Sequence, residues 1–223
     1  MFGETTETTG LLAIDTSTER AGIAFGAEST VVSHSWPASR AQTTTVLPEV
    51  DHMIAAAGKS PANIAGLVVA IGPGTFTGLR VGLAIAKGIV AAREVPLVGI
   101  PTLDIVFASH PDKDFVAVLP AGRGRVVWQE RDQPPTNSTV DELIAQIGGR
   151  TLIGELGQDQ EAAVKAAGID VINEPRDPEV LLAIGARRIA AGDLDDAVTL
   201  EPTYLHGITV NAGPIEDRLR PKS

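Results

Sequence analysis

The sequence predicts an α/β protein built from two similar halves. Three observations carry this reading. Short apolar runs alternate with helical patterns along most of the chain. Each half opens with an antiparallel hairpin and continues with strand–helix units, a layout that suggests duplication without a strict sequence repeat. Hydrophobic residues make up 43% of the 223 residues, enough for a real core, while aromatics are only 4%, so Ala, Val, Ile and Leu must build it.

The elements follow in order. Residues 11–14 form a buried-type strand ending at Asp15, residues 16–20 turn, and residues 21–25 return. Residues 31–36 alternate as a third strand. A helix spans residues 41–57, with Pro48 near a kink or the helix start. Gly58-Lys59-Ser60-Pro61 ends it, and residues 67–71 are the next strand. A glycine loop and a long helix over residues 77–94 follow, then a short strand at 96–100 and a helix reaching His110. The second half starts near Pro111. Residues 115–119 and 126–131 pair around Gly122-Arg123-Gly124-Arg125. Helices at 140–147, 158–167 and 179–191 alternate with short strands at 152–154 and 171–172. The expected division is a tail over 1–9, one lobe over 10–110, a second over 111–208 and a charged tail over 209–223, with a ligand or partner cleft between the lobes.

The richest segment is Gly72-Pro73-Gly74-Thr75-Phe76-Thr77-Gly78-Leu79-Arg80 and the helix it opens. A loop entering a helix at a sheet edge offers backbone N–H groups to an anion. The helix is apolar on most of its circumference, with only Arg80, Lys87 and Glu94 as a polar stripe. Gly78, Gly82 and Ala86 stand four apart and suggest a shallow groove between ridges of Val81, Ile85 and Ile89 and of Leu79, Leu83 and Val90. Two arrangements fit. The helix is sandwiched inside its own domain, or its small-residue groove receives a partner's helix. Either way Gly78 and Gly82 each cost about 1 kcal/mol of helix propensity relative to Ala, which close packing would explain.

Composition and spacing exclude several chemistries. A formal net charge of −10 argues against this chain gripping nucleic acid by itself. The basic pairs Arg123/Arg125 and Arg187/Arg188 read as solvated. With no cysteine there is no disulfide, thiolate nucleophile or Cys-based metal site, which fits a reducing cytoplasm. His34, His52, His110 and His206 lack helix-ligand spacing, so no metal site is expected. The glycine loop is neither a Walker A motif nor G-x-G-x-x-G, since Thr77 takes the third glycine's place. No G-x-S-x-G elbow is present, and no catalytic residue is assigned. Residues 1–10 lack a leader pattern, and no apolar run is long enough for a bilayer.

Leu12-Ala13-Ile14-Asp15-Thr16-Ser17-Thr18, then the glycine-loop segment, then Glu201-Pro202-Thr203-Tyr204-Leu205 resemble the bacterial TsaB (YeaZ) family in order and spacing. The resemblance covers nearly the whole chain. It implies an actin-like, ribonuclease H-like two-lobed fold of mixed sheets flanked by helices. It implies a non-catalytic scaffold role in forming threonylcarbamoyladenosine beside the tRNA anticodon. The implied partners are a larger TsaD-like subunit that carries the metal and performs the transfer, and a TsaE-like ATPase, with tRNA met only through the complex. A homodimer is expected in isolation, and no membrane.

On this reading the partner interface is Gly78, Val81, Gly82, Ile85, Ala86 and Ile89. Asp15 and Thr16 fall where actin-like ATPases place a phosphate-contacting hairpin. With Gly74 and Thr75 they are the candidate nucleotide contacts. Asp15 could hold Mg²⁺ through water or simply close an Asx/ST turn. No cofactor is intrinsic; ATP or ADP could be shared at the partner interface. The rival reading is a small actin-fold ATPase or kinase acting on its own nucleotide. Three departures from the family pattern stand out. Pro120-Ala121-Gly122 replaces Asp-Ala-Arg, Val127 replaces Tyr before Trp128, and Gln42 replaces His.

Overall fold

The computed structural model describes residues 9–27, 29–38 and 41–205. Two five-stranded mixed sheets organise them. The first contains β1 (Gly10–Asp15), β2 (Arg20–Ala27), β3 (Thr30–Pro37), β4 (Ile64–Gly72) and β5 (Leu97–Pro101), in the order β3-β2-β1-β4-β5. The hairpin pairs β1/β2 and β2/β3 are antiparallel, and β1/β4 and β4/β5 are parallel. The second sheet contains β6 (Val116–Gly122), β7 (Arg125–Glu130), β8 (Thr136–Ser138), β9 (Leu152–Gly154) and β10 (Val171–Asn173), in the order β10-β9-β6-β7-β8. There β6/β7 and β7/β8 are antiparallel, and β6/β9 and β9/β10 parallel. Counted from its own first strand, the second sheet repeats the order and directions of the first. This is the actin-like two-lobed layout. The helices are α1 (Gln42–Ala56, with Pro48 inside it), α2 (Phe76–Arg93), α3 (Thr102–Ser109), α4 (Val140–Gln146), α5 (Gln158–Ala166) and α6 (Pro178–Ala190).

The central strands are apolar on both faces because helices cover both. Leu12 and Ile14 of β1 pack with Val46, Val50 and Ile54 of α1 and with Leu83 and Ala86 of α2. Ala13, one residue on, joins Val68 and Ala70 of β4 beneath Leu181 and Ile184 of α6. Ala13, Ala24 and Ala70 lie on that face beside Val68, Val98 and Ile100, and α6 packs on it. A Cβ at Gly185 would overlap the Val68 methyls, so a glycine is what admits the helix. The second lobe has its own core, with Val116, Val118, Val126 and Trp128 under Leu143 and Val164.

Two features differ from the sequence reading. Strand β8 is unexpected, because Thr-Asn-Ser after two prolines carries no strand signal. It exists because it pairs with β7, Val126 opposite Ser138 and Trp128 opposite Thr136. The chain also does not stay in the second lobe up to residue 208. Helix α6 packs on the first sheet, and the segment after it follows, with Asp195 N–H donating to Leu97 C=O (2.9 Å) and Thr203 N–H to Ile71 C=O (2.7 Å). Helix α3 reaches the other way, placing Leu103, Val106 and Phe107 against Phe115, Val127 and Ile153. The two expected tails, residue 9 apart, lie outside the described residues, as does His206.

Candidate functional site: the cleft floor and helix α2

The β1–β2 turn meets the second lobe at a buried ion cluster. Its centre is Arg176, in the link between β10 and α6. Asp177 caps α6, accepting a hydrogen bond from Glu179 N–H (2.8 Å), and Pro178 begins the helix. That sharp start fixes where Arg176 leaves the backbone. Its Nε donates to Asp15 Oδ2 (2.6 Å), its Nη1 to Glu155 Oε1 (2.5 Å) and its Nη2 to Thr18 Oγ1 (3.2 Å). Thr18 Oγ1 donates in turn to Glu155 Oε2 (2.9 Å). The Arg176 side chain is 3% exposed. Burial works against its charge, but Asp15 and Glu155 outweigh that and hold its pKa above the ordinary arginine value.

This changes the reading of Asp15 and Thr16. The Asp15 carboxylate accepts from Ser17 N–H (2.9 Å) and Ser17 Oγ (2.6 Å) through one oxygen and from Arg176 through the other. Both oxygens are engaged. The Asx turn forms, and a guanidinium stands where a water-mediated metal ion was the alternative. Thr16 Oγ1 donates to the Gly78 carbonyl (2.7 Å), so its hydroxyl is a clasp between turn and helix. Gly74 abuts the Ser17 backbone, where a Cβ would overlap the carbonyl, and Thr75 N–H donates to Ser17 C=O (2.6 Å). The four candidate contacts are thus brought together, but as a packed joint. Gln42, a departure from the family pattern, belongs to the same joint. Its Nε2 donates to the Thr16 and Thr18 carbonyls, and the residue is buried.

The proposed groove of α2 is corrected in the same way. Gly78, Gly82 and Ala86 face inward with Leu79 and Leu83. A Cβ at Gly78 would overlap the Thr16 carbonyl, and one at Gly82 would overlap Thr16 Oγ1. Ala86 is fully buried in the first-lobe core. The crevice is filled by the chain's own β1–β2 turn and is no socket. Val81, Ile85 and Ile89 lie at the helix flanks, half-buried, and Ile85 and Ile89 pack against the first-lobe core. The outward face carries Thr77, Arg80, Ala84, Gly88 and Ala91, all exposed. At its start Phe76 is 52% exposed. The Arg80 guanidinium stacks 3.7 Å from the Phe76 ring centre, and its Nε donates to Tyr204 Oη (3.0 Å).

Among the described residues, a larger and a smaller cavity open along the lobe boundary. The larger, about 890 Å³, lies between the hairpin turns and is lined by Glu19, Arg20, Arg125, Asp141, Glu155 and Asp159 among others. The smaller, about 530 Å³, lies beside the start of α2 and the β6–β7 turn. Among the described residues no three His, Asp or Glu side chains form a metal-binding group. His34 stacks on Trp36 (5.1 Å) and lies 3.7 Å from Glu49, and His110 bonds Glu174. Arg188, read as solvated, is buried against Asp193 (2.7 Å) and the Gly99 carbonyl (2.9 Å).

Sequence reasoning missed Arg176 and Glu155 entirely. They stand 161 and 137 residues from their partners Asp15 and Thr18, in loops with no motif of their own.

A family profile described as TsaD, tRNA N6-adenosine threonylcarbamoyltransferase, matches residues 36–148. The chain is 29% identical over 220 residues to the tRNA threonylcarbamoyladenosine biosynthesis protein TsaB of Escherichia coli (strain K12), covering 87% of this chain and 94% of that one. The chain belongs to the TsaB (YeaZ) family. A TsaB of Haemophilus influenzae is 32% identical over 126 residues, about half of each chain (54% and 52%). The solved YeaZ of Pseudomonas aeruginosa shares the fold, with a TM-score of 0.73 at 20% identity over 88% of this chain and 100% of that one. Among the described residues no helix is long and apolar enough to cross a membrane.

Proposed function

We propose that this chain is a non-catalytic subunit that binds and stabilises a TsaD-like larger subunit while that subunit forms N6-threonylcarbamoyladenosine beside the tRNA anticodon. The observation that carries this reading is the Arg176–Asp15 pair (2.6 Å). Asp15, the acidic group that the sequence offers for a metal-bound nucleotide, already holds a protein cation. Family membership supports the pathway. The outward face of α2 supports docking, with exposed Ala84 and Gly88 flanked by Val81, Ile85 and Ile89 and headed by Phe76. Among the described residues nothing fills that side at Gly88, where a Cβ would meet no atom within 4 Å. Small residues there let a second helix approach closely. In isolation the same face joins two copies. A TsaE-like ATPase completes the assembly, any ATP or ADP is shared at the partner interface, and tRNA is met only through the complex. The compartment is the cytoplasm.

The test is co-purification with the larger subunit, followed by a modification assay with and without this chain. The expected result is a stable complex and a higher modification rate when the chain is present. Ala84→Arg should abolish co-purification and leave the melting temperature unchanged, because residue 84 is exposed. Normal assembly of that variant would remove α2 from the interface. Calorimetry of the isolated chain with Mg-ATP addresses the other half of the proposal; turnover there would favour an ATPase.

A further inference from the structure

We infer that the outer edge of β3 receives an extended, basic segment of a protein partner as an added strand. A sheet edge presents a row of unpaired N–H and C=O groups, and proteins ordinarily blunt it. The edges at β5, β8 and β10 are blunted here. Along β5, Asp195 N–H donates to the Leu97 carbonyl (2.9 Å) and Gly99 N–H to Asp195 Oδ2 (2.8 Å), so the segment after α6 covers that edge. Strands β8 and β10 are each 3 residues long. Strand β3 is different. It runs for 8 residues, Thr30–Pro37, and pairs with β2 in one unbroken register, with no bulge. It holds no Lys, Arg, Asp or Glu, and Pro37 only closes its end. Among the described residues no hydrogen bond outside the β2 ladder reaches its backbone.

The flanks of this edge define what the partner carries. Successive side chains of a strand point to opposite faces. On the α1 face, Val32 and Trp36 pack against the first-lobe core, and His34 stacks on Trp36 and lies 3.7 Å from Glu49. On the α6 face, Ser33 Oγ donates to Glu179 Oε1 (2.6 Å). Each face thus carries a carboxylate beside the middle of the strand, at His34 and at Ser33. Among the described residues neither carboxylate pairs with a Lys or Arg. Helix α1 has no Lys or Arg, and Arg20 stands opposite Pro37, at the strand's end. An added strand with two successive cations at its centre sets one beside Glu49 and the other beside Glu179, across the two faces.

A second copy of this chain fits less well. Its β3 offers no Lys or Arg, and it brings Glu49 and Glu179 toward their own kind in a chain of net charge −10. In strand addition the main-chain hydrogen bonds supply affinity and the alternating side chains supply specificity. Here the specificity is for positive charge.

The experiment is calorimetry of the full isolated chain with the end-blocked peptide Thr-Val-Thr-Lys-Lys-Thr-Val-Thr. Its sequence reads alike in both directions, so it serves parallel and antiparallel pairing. The controls are its glutamate analogue and an analogue methylated at every backbone nitrogen, which donates no main-chain hydrogen bond. The expected result is saturable binding of the lysine peptide in the millimolar range or tighter, at least tenfold weaker for both controls. Glu49→Lys combined with Glu179→Lys should reverse the preference in favour of the glutamate peptide, at an unchanged melting temperature, because neither side chain is buried. No saturable binding, equal binding of the methylated analogue, or a preference for lysine that survives the double variant would each overturn the inference. A dimer in sedimentation that Val31→Lys dissolves would also overturn it, since the edge would then belong to a second copy; Val31 is 46% exposed. The inference does not rest on the partner role of α2, and its failure leaves that reading standing.

Discussion

The two sheets share one strand order but treat their leading hairpins in opposite ways. In the first lobe the β1–β2 turn is buried. Asp15, Thr16, Ser17 and Thr18 are each 3% exposed or less. Helix α2 is clasped to it through Thr16 and Gly78, α1 through Gln42, and the second lobe through Arg176. In the second lobe the equivalent β6–β7 turn, Gly122-Arg123-Gly124, is exposed, and a Cβ on either glycine would meet nothing within 4 Å. Helix lengths follow the same asymmetry. The first lobe inserts α1 and α2, 15 and 18 residues long, where the second inserts α4 and α5, 7 and 9 residues long. A duplicated layout has become one heavier lobe, whose turn is a buried structural joint, and one lighter lobe, whose turn is exposed.

The contrast can be broken most severely at Arg176. Replacing it by Met leaves Asp15 and Glu155 as buried carboxylates without their cation, which should cost about 3–5 kcal/mol. Denaturant unfolding measures this, and hydrogen exchange should show the amides of residues 16–19 losing protection while those of 122–124 are unaffected. Arg176→Lys should recover only part, because a point charge cannot span Asp15, Glu155 and Thr18 together. A loss below about 1 kcal/mol in Arg176→Met would mean the cluster is no latch.

Helix α2 offers the next test, within a single element. Gly78→Ala drives a methyl into the Thr16 carbonyl, a backbone atom that cannot move alone, and should destabilise by about 1–3 kcal/mol. Gly88→Ala on the opposite face meets no atom within 4 Å and should stabilise by up to about 1 kcal/mol through helix propensity. Thermal melts of the two variants must move in opposite directions. If they move together, the assignment of inner and outer faces is wrong.

The smallest effect belongs to the second lobe's rim. Glu130 and Arg150 pair at 2.5 Å with side chains 32% and 35% exposed, a solvated counterpart to the Arg176 cluster. The hydrogen bond from Arg150 holds the Glu130 carboxyl below the usual carboxylate range, against the opposing effect of its partial burial. Its contribution is full above the unfolded pKa of about 4.3 and is lost as pH falls through the lower folded value. Glu130→Gln should flatten that part of the acid limb and cost less than about 1 kcal/mol at neutral pH. Unfolding free energies measured against pH check the sign.

Most strands were legible in the chain because their signal is local. The run Leu67-Val68-Val69-Ala70, short and rich in β-branched residues, reads as a strand covered on both faces, and Thr16-Ser17-Thr18 after Asp15 reads as a turn. The faces of α2 were not legible. An apolar stripe around most of a helix does not say which side meets its own sheet, and a row of small residues suits a filled joint as well as an open groove. Gly78 and Gly82 turned out to receive a turn of their own chain, and the outward strip is Ala84 and Gly88. Strand β8 was equally hidden, since its polar residues pair only because β7 is there to receive them.

By itself, then, the sequence determined the duplicated α/β layout, the family and the positions of both hairpins, because alternation, turn residues and motif spacing are properties of neighbouring residues. Only the tertiary structure decided that α6 crosses back to the first sheet, that Arg176 takes Asp15 and Glu155 together, and that Arg125 of the second hairpin is tied to Asn137 of β8. Those outcomes depend on charges and surfaces brought together from distant parts of the chain, where the energy lies in burial and pairing and no local pattern records it.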